Sequence, residues 1–142
     1  MELPLIIISQ HSCNEARCKC CDIIISGNAI DFNTQDGIIK FIIKKNLDCC
    51  SSNIIYKLIC DRCKEYYIGQ TGDTLRHRMT VHRQQNNHPE YSNLKVSKHI
   101  AQCGRGFHVM PFFQLSPDSD RLQREFKESY FISRFHPTLN SS

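Results

Sequence analysis

The 142-residue sequence contains no tryptophan, no internal repeat and no low-complexity tract. No run reaches the roughly 18–20 consecutive apolar residues that a membrane-spanning helix requires, so no membrane association is expected. The apolar opening, Leu3-Pro4-Leu5-Ile6-Ile7-Ile8, has no basic segment before it. It is too short for a secretory leader and reads as a first strand or as the cut end of a longer chain. Charge of neither sign dominates: 18 Lys and Arg against 14 Asp and Glu leave +4. Such a balance is compatible with a phosphate-bearing partner without demanding one.

What the chain does have is isoleucine and cysteine. Its apolar content of 40% is adequate for one core, and the weight of isoleucine favours some sheet. Nine cysteines are many for this length, but the number is odd and no leader is visible. A secreted disulfide framework therefore fits poorly. The pairs Cys18/Cys21 and Cys60/Cys63 have the short gaps of metal clips in a reducing compartment, and zinc is the expected occupant.

The first region, residues 1–52, reads as a cysteine-rich β extension. Ile23–Ile25 and Ile38–Ile43 are its expected strands, punctuated by Gly27-Asn28 and Asp36-Gly37. The second region, residues 53–142, reads strand, strand, helix, helix, strand, helix. Asn53–Cys60 and Glu65–Gly69 form a hairpin. Asp73 caps a helix over 74–85, with Leu75, Met79 and His82 on one face. A second helix runs over 93–102 with Val96, Ile100 and Cys103 on one side. His108–Leu115 is an edge or bulged strand because it contains Pro111. A last helix, capped by Ser116, runs over 117–135 with Leu122, Phe126, Phe131 and Phe135 buried. The fold class is α+β, a small three-stranded antiparallel sheet flanked by helices.

The chemistry gathers around the hairpin. A single tyrosine there is most simply a packing residue. Tyr56 and Tyr67, however, can stand side by side on adjacent strands. Arg78 and His82, four apart on the next helix, face one way. Two phenols, a guanidinium and an imidazole suit a phosphate ester: Arg grips non-bridging oxygens, and His or a phenol relays a proton. A free phenol, with pKa near ~10, is a poor base unless cations lower it. A divalent cation nearby would want a carboxylate. Glu128 on the last helix is the candidate, while Glu125 reads as a solvated residue.

Ile55-Tyr56, ten intervening residues and Tyr67-Ile68-Gly69 resemble the paired signature of the GIY-YIG nuclease superfamily, with Ile54 in place of its first glycine. Leu75-x-x-Arg78-x-x-x-His82 resembles that family's helix with its catalytic arginine. Glu128-x-x-x-Ile132 followed by Pro137 and Asn140 resembles its metal-binding helix and closing Pro-x-x-Asn. The resemblance covers residues 53–141. It implies hydrolysis of a DNA phosphodiester, one strand per site. Glu128 would hold one Mg2+ or Mn2+, Arg78 the scissile phosphate. Tyr56 or Tyr67 would orient or deprotonate the attacking water with help from His82, and Asn140 would brace the site.

Cys60-x-x-Cys63 at the hairpin tip is a zinc knuckle that needs two more ligands. His99 and Cys103, spaced i and i+4, would supply them, with His108 and the weaker His88 as rivals. The bland alternative makes His99 a surface histidine and Cys103 a small core residue. An insertion of this kind is similar to the endonuclease domain of Penelope-like retroelements. Cys13, Cys18, Cys21 and Cys49 resemble the cysteine-rich segment before that domain and would form a second zinc site, with Cys20 and Cys50 as substitutes. The resemblance implies DNA and a reverse transcriptase domain of the same element as partners, in the nucleus or cytoplasm. Lys44, Lys45, Arg76 and Arg83 are candidate contacts to the DNA backbone. The competing reading is a zinc-binding nucleic-acid or protein adaptor that keeps the fold without cutting.

Overall fold

In the computed structural model, residues 6–7, 18–88, 90, 94–104 and 106–140 are described. The expected α+β class is found: three helices around a three-stranded antiparallel sheet. Its strands are β5 (Ile54–Cys60), β6 (Tyr66–Thr71) and β7 (Phe107–Gln114), in the order β6-β5-β7. The central strand β5 is buried at all but one of its seven residues, as a strand covered on both faces must be. Pro111 sits opposite Tyr56 at a register shift in β7. An edge strand tolerates the lost donor there.

Alternation along β5 sends Tyr56 and Leu58 to one face and Lys57 and Ile59 to the other. Helix α1 (Leu75–Asn87) covers the first face through Leu75, Met79 and His82, all fully buried. Helix α2 (Lys95–Gln102) packs beside α1 and buries Val96 and Ile100. The other face carries α3 (Arg121–Phe135) and a hairpin of β3 (Ala29–Thr34) with β4 (Gly37–Ile42). Phe32 of β3 stacks on Phe135 of α3, with ring centroids 3.8 Å apart. Lys57 Nζ donates to the Asp31 carbonyl at 2.7 Å and lies over the Phe32 and Tyr66 rings. Residues from both sides of position 52 thus share one core.

Two short strands, β1 (Ile6–Ile7) and β2 (Ile25–Ser26), pair with each other, and a 3-10 turn spans Lys19–Asp22. The expected strand over Ile23–Ile25 is therefore mostly absent: Ile24 makes a single parallel bridge to Val109. The true partner of β4 is β3, whose Ala-Ile-Asp-Phe-Asn-Thr buries only Ile30 and Phe32. Asp and Asn at its outward positions are poor strand formers and mask the pattern.

Two helix starts also differ. Thr74, not Asp73, caps α1 by accepting from the His77 N–H at 3.2 Å. Asp120, not Ser116, caps α3 in a reciprocal capping box with Gln123. Leu122 and Phe126 are 75% and 79% exposed rather than buried. At 3.6 residues per turn they lie about 140–180° around α3 from Phe131. Asn93, the expected first residue of the second helix, lies outside the described residues.

Candidate active site

The face of β5 that carries Tyr56 meets the face of α1 that carries His82. The Tyr56 hydroxyl and His82 Nε2 are 2.7 Å apart, and both side chains are fully buried. Arg78, one helical turn earlier, donates from Nε to the Tyr56 oxygen at 3.2 Å. Tyr67 lies two residues before Gly69 on β6, its ring centroid 6.3 Å from that of Tyr56 and 5.7 Å from that of His82. Gly69 is the residue opposite Tyr56 in the strand register. A Cβ there would fall 2.6 Å from the Tyr56 hydroxyl and from Tyr67 Cε2, so no larger residue leaves the phenols where they are.

Burial sets the protonation states. Loss of water pushes both phenols above their usual range, against the pull of Arg78, so both are neutral hydroxyls. Loss of water, then the nearby Arg78 charge, lowers His82 from 6.5 to about 3. A neutral imidazole leaves Nε2 free to accept the Tyr56 proton. The phenol's lone pair then faces the Arg78 N–H, which gives a directed chain of donors from Arg78 through Tyr56 to His82.

Glu128 reaches this group from α3. Its charge is felt by Tyr56, Tyr67 and Arg78, so the four groups share one neighbourhood. Desolvation first, and Glu125 second, raise its pKa from 4.5 to about 7, opposed by Arg78 and the Gln70 backbone N–H. Glu125 has a cation of its own, Arg121, at 3.5 Å. Glu128 has no salt-bridge partner among the described residues. A half-buried carboxylate short of water, near the Arg78 charge but in no ion pair of its own, fits a divalent cation. Asn140 bonds to the β6 backbone. Its side chain accepts from the Ile68 N–H at 2.9 Å and donates to the Ile68 carbonyl at 2.8 Å, pinning β6 between Tyr67 and Gly69.

A model of the GIY-YIG catalytic domain matches residues 52–140. The chain belongs to the GIY-YIG family. No curated protein and no solved structure matches it. GIY-YIG domains are phosphodiester-cleaving nucleases that use a divalent metal, and a nuclease domain of this kind implies a DNA substrate. The family's paired signature corresponds here to Ile54-Ile55-Tyr56 on β5 and Tyr67-Ile68-Gly69 on β6, the strands that hold the phenols.

Two thiol clusters stand outside this GIY-YIG site. The ligand atoms of Cys60, Cys63, His99 and Cys103 all lie within 4.8 Å of one another, joining the β5–β6 tip to the end of α2. Cys63 Sγ and His99 Nε2 are 3.1 Å apart. His108 is not in this cluster, its Nδ1 being 2.5 Å from Asp61 Oδ1, and the exposed His88 pairs with Glu90. Cys18, Cys21 and Cys49 form the second cluster, also within 4.8 Å. Cys13 lies outside the described residues. Cys20, although buried, and the exposed Cys50 are in neither cluster. The carbonyls of Cys49 and Ser51 accept from the first N–H groups of α1, which ties the second cluster to the helix that bears Arg78.

Two residues that the sequence did not single out border Arg78. Arg124 of α3 and Gly72 of the β6–α1 turn help line an open polar groove of about 660 Å³ that includes Arg78. Nothing in their local sequence distinguishes them; only the packing of α3 across the turn does. Arg76 and Arg83 line a separate groove of about 410 Å³ with Lys19, and Lys44 and Lys45 are exposed.

Proposed function

We propose that this chain is a DNA endonuclease that nicks one strand by metal-dependent hydrolysis, and that it serves a retroelement of the Penelope type. The observation that carries the reading is the hydrogen bond from Arg78 to Tyr56, itself anchored on His82, with Glu128 alongside.

Glu128 would hold the Mg2+ or Mn2+, which when bound supplies Lewis-acid activation of a phosphate oxygen. Arg78 binds the scissile phosphate. It donates from Nε to Tyr56, and a guanidinium's five N–H groups leave others for the non-bridging oxygens. Tyr67, slightly less buried than Tyr56, would orient the attacking water. Tyr56 holds Arg78 in place and has a hydrogen-bond acceptor behind it in His82. Asn140 keeps the strand of Tyr67 in register.

The Cys60/Cys63/His99/Cys103 and Cys18/Cys21/Cys49 clusters read as structural zinc sites, Cys13 being the fourth ligand proposed for the second. The knuckle between the two halves of the signature, with cysteines upstream, supports the Penelope-type reading. There a nick supplies a 3′ hydroxyl to a reverse transcriptase of the same element, in the nucleus.

The test incubates supercoiled plasmid with the protein and Mg2+ or Mn2+, then offers the product to a DNA polymerase. Open circles whose nicks prime synthesis support the proposal. Plasmid that is bound but never nicked with either metal would leave a non-cutting adaptor.

A further inference from the structure

The groove lined by Arg78, Arg121, Arg124, Gly72, Gln70 and Asp73 is shallow, open and polar. Three of these residues are arginines, and the one acid, Asp73, already accepts from the Thr74 N–H at 2.7 Å and faces His77 at 3.7 Å. Arg124 is held by three hydrogen bonds. Its Nε donates to Gln70 Oε1 at 3.1 Å, and Nη1 donates to Asn53 Oδ1 at 3.3 Å and the Ser119 carbonyl at 3.2 Å. The guanidinium lies flat across Gly72: a Cβ there would sit 2.6 Å from Cζ and 2.7 Å from Nη2. Nη2 has no protein hydrogen bond among the described residues. Arg121, Arg124 and Glu128 occupy successive turns of α3, so the cationic surface leads away from the reacting groups along that helix.

We propose that Arg124, with Arg121, binds the nucleic-acid backbone beside the scissile phosphate, on the side that runs from Arg78 along the first turns of α3. This rests on the nuclease reading and extends it to a second phosphate subsite. A guanidinium with its entropy already surrendered grips a phosphate at less cost than a free one. An open trough without apolar walls suits a continuing polymer better than an enclosed small molecule. Contacts of this sort carry no base sequence and are paid out as salt dependence. A glycine at 72 is what lets the guanidinium lie there.

The test measures binding to a duplex oligonucleotide across a salt series, without Mg2+ or Mn2+, and KM and kcat for nicking with them. Arg124→Gln is expected to weaken binding about tenfold at low salt and to reduce the salt slope by about one. Its effect on KM should exceed its effect on kcat. Gly72→Ala should act in the same direction, because the new methyl displaces the end of a flexible side chain rather than backbone. Arg124→Lys keeps the charge and should keep the slope. If Arg124→Gln and Gly72→Ala fold normally with slope and KM unchanged, the subsite is refuted and Arg124 is only a clasp between α3 and β6. A slope lost in Arg124→Gln and also in Arg124→Lys would refute a charge-based contact. A wild type that binds but never nicks, with the slope still falling in Arg124→Gln, would end the nuclease reading and leave the backbone subsite standing. Inorganic phosphate alone should not raise the melting temperature of the wild type over that of Arg124→Gln. A selective rise would mean a free-phosphate site and overturn the backbone assignment.

Discussion

Gly69 faces Tyr56 directly across the β5–β6 pair, and a methyl on its Cα would come within 2.6 Å of the Tyr56 hydroxyl. The same methyl would meet Tyr67 Cε2 at 2.6 Å. Neither ring is free to retreat, Tyr56 being fully buried and Tyr67 8% exposed. Gly69→Ala is therefore expected to destabilise the fold by about 1–3 kcal/mol. It should also cut the nicking rate at least about 100-fold, because displaced phenols lose Arg78 and the water together. Urea unfolding and single-turnover nicking check the two halves. A near-normal rate would mean that the phenols tolerate displacement.

Tyr56 and Arg78 are expected to act as a unit. Tyr56→Phe removes the acceptor of the Arg78 Nε donor, and Arg78→Lys removes the donor. Each should lower kcat about 10²–10³-fold, and the double variant should lose little more than Arg78→Lys alone. Strictly additive losses would show that the two work independently.

The pH dependence of stability has a definite sign. Folded His82 takes up a proton only at about 3, whereas an unfolded imidazole does so at 6.5. Its contribution is thus fully present above 6.5 and is lost as the pH falls through the window from 6.5 to 3. The slope there is about 1.4 kcal/mol per pH unit. Between about pH 7 and pH 5 the wild type should lose about 2 kcal/mol more than His82→Gln, by denaturant unfolding. Parallel curves for the two proteins would contradict the buried neutral imidazole.

The thiol clusters predict metal content. Elemental analysis should find about one or two zincs per chain, and chelation should loosen the fold, because ligation and folding are coupled. His99→Ala should lose one zinc. His108→Ala should keep it, since His108 is engaged by Asp61. The reverse outcome would exchange the two histidines in the site.

The GIY-YIG domain was legible in the sequence because the candidate site residues sit inside regular elements. Strand pairing set Tyr56 beside Tyr67 and helical spacing turned Arg78 and His82 one way, and the resemblance to the GIY-YIG signature joined the two pairs. Glu128 is harder, since one acid on a helix looks like any other; it stood out through the resemblance of Glu128, Pro137 and Asn140 to the closing motif of GIY-YIG domains. The sequence misled where burial is one-sided. The β3 strand hides two inward residues among polar ones, and α3 carries Leu122 and Phe126 on its exposed surface, against the usual meaning of apolar spacing. The rivalry between Cys103 and His108 needed three dimensions: the two lie only five residues apart, but Cys103 Sγ joins the other three ligand atoms while His108 Nδ1 is hydrogen-bonded to the Asp61 carboxylate. Arg124 was invisible because its distinction is a guanidinium lying on a distant glycine.

The central claim is that Glu128 lets these residues cut DNA. The most direct measurement is nicking of supercoiled plasmid by wild type and Glu128→Gln, side by side in Mg2+ and in Mn2+, with DNA binding followed in parallel. The account predicts metal-dependent nicking by the wild type, none by Glu128→Gln, and binding retained in both. Equal nicking by the two proteins, or none by either, would contradict it.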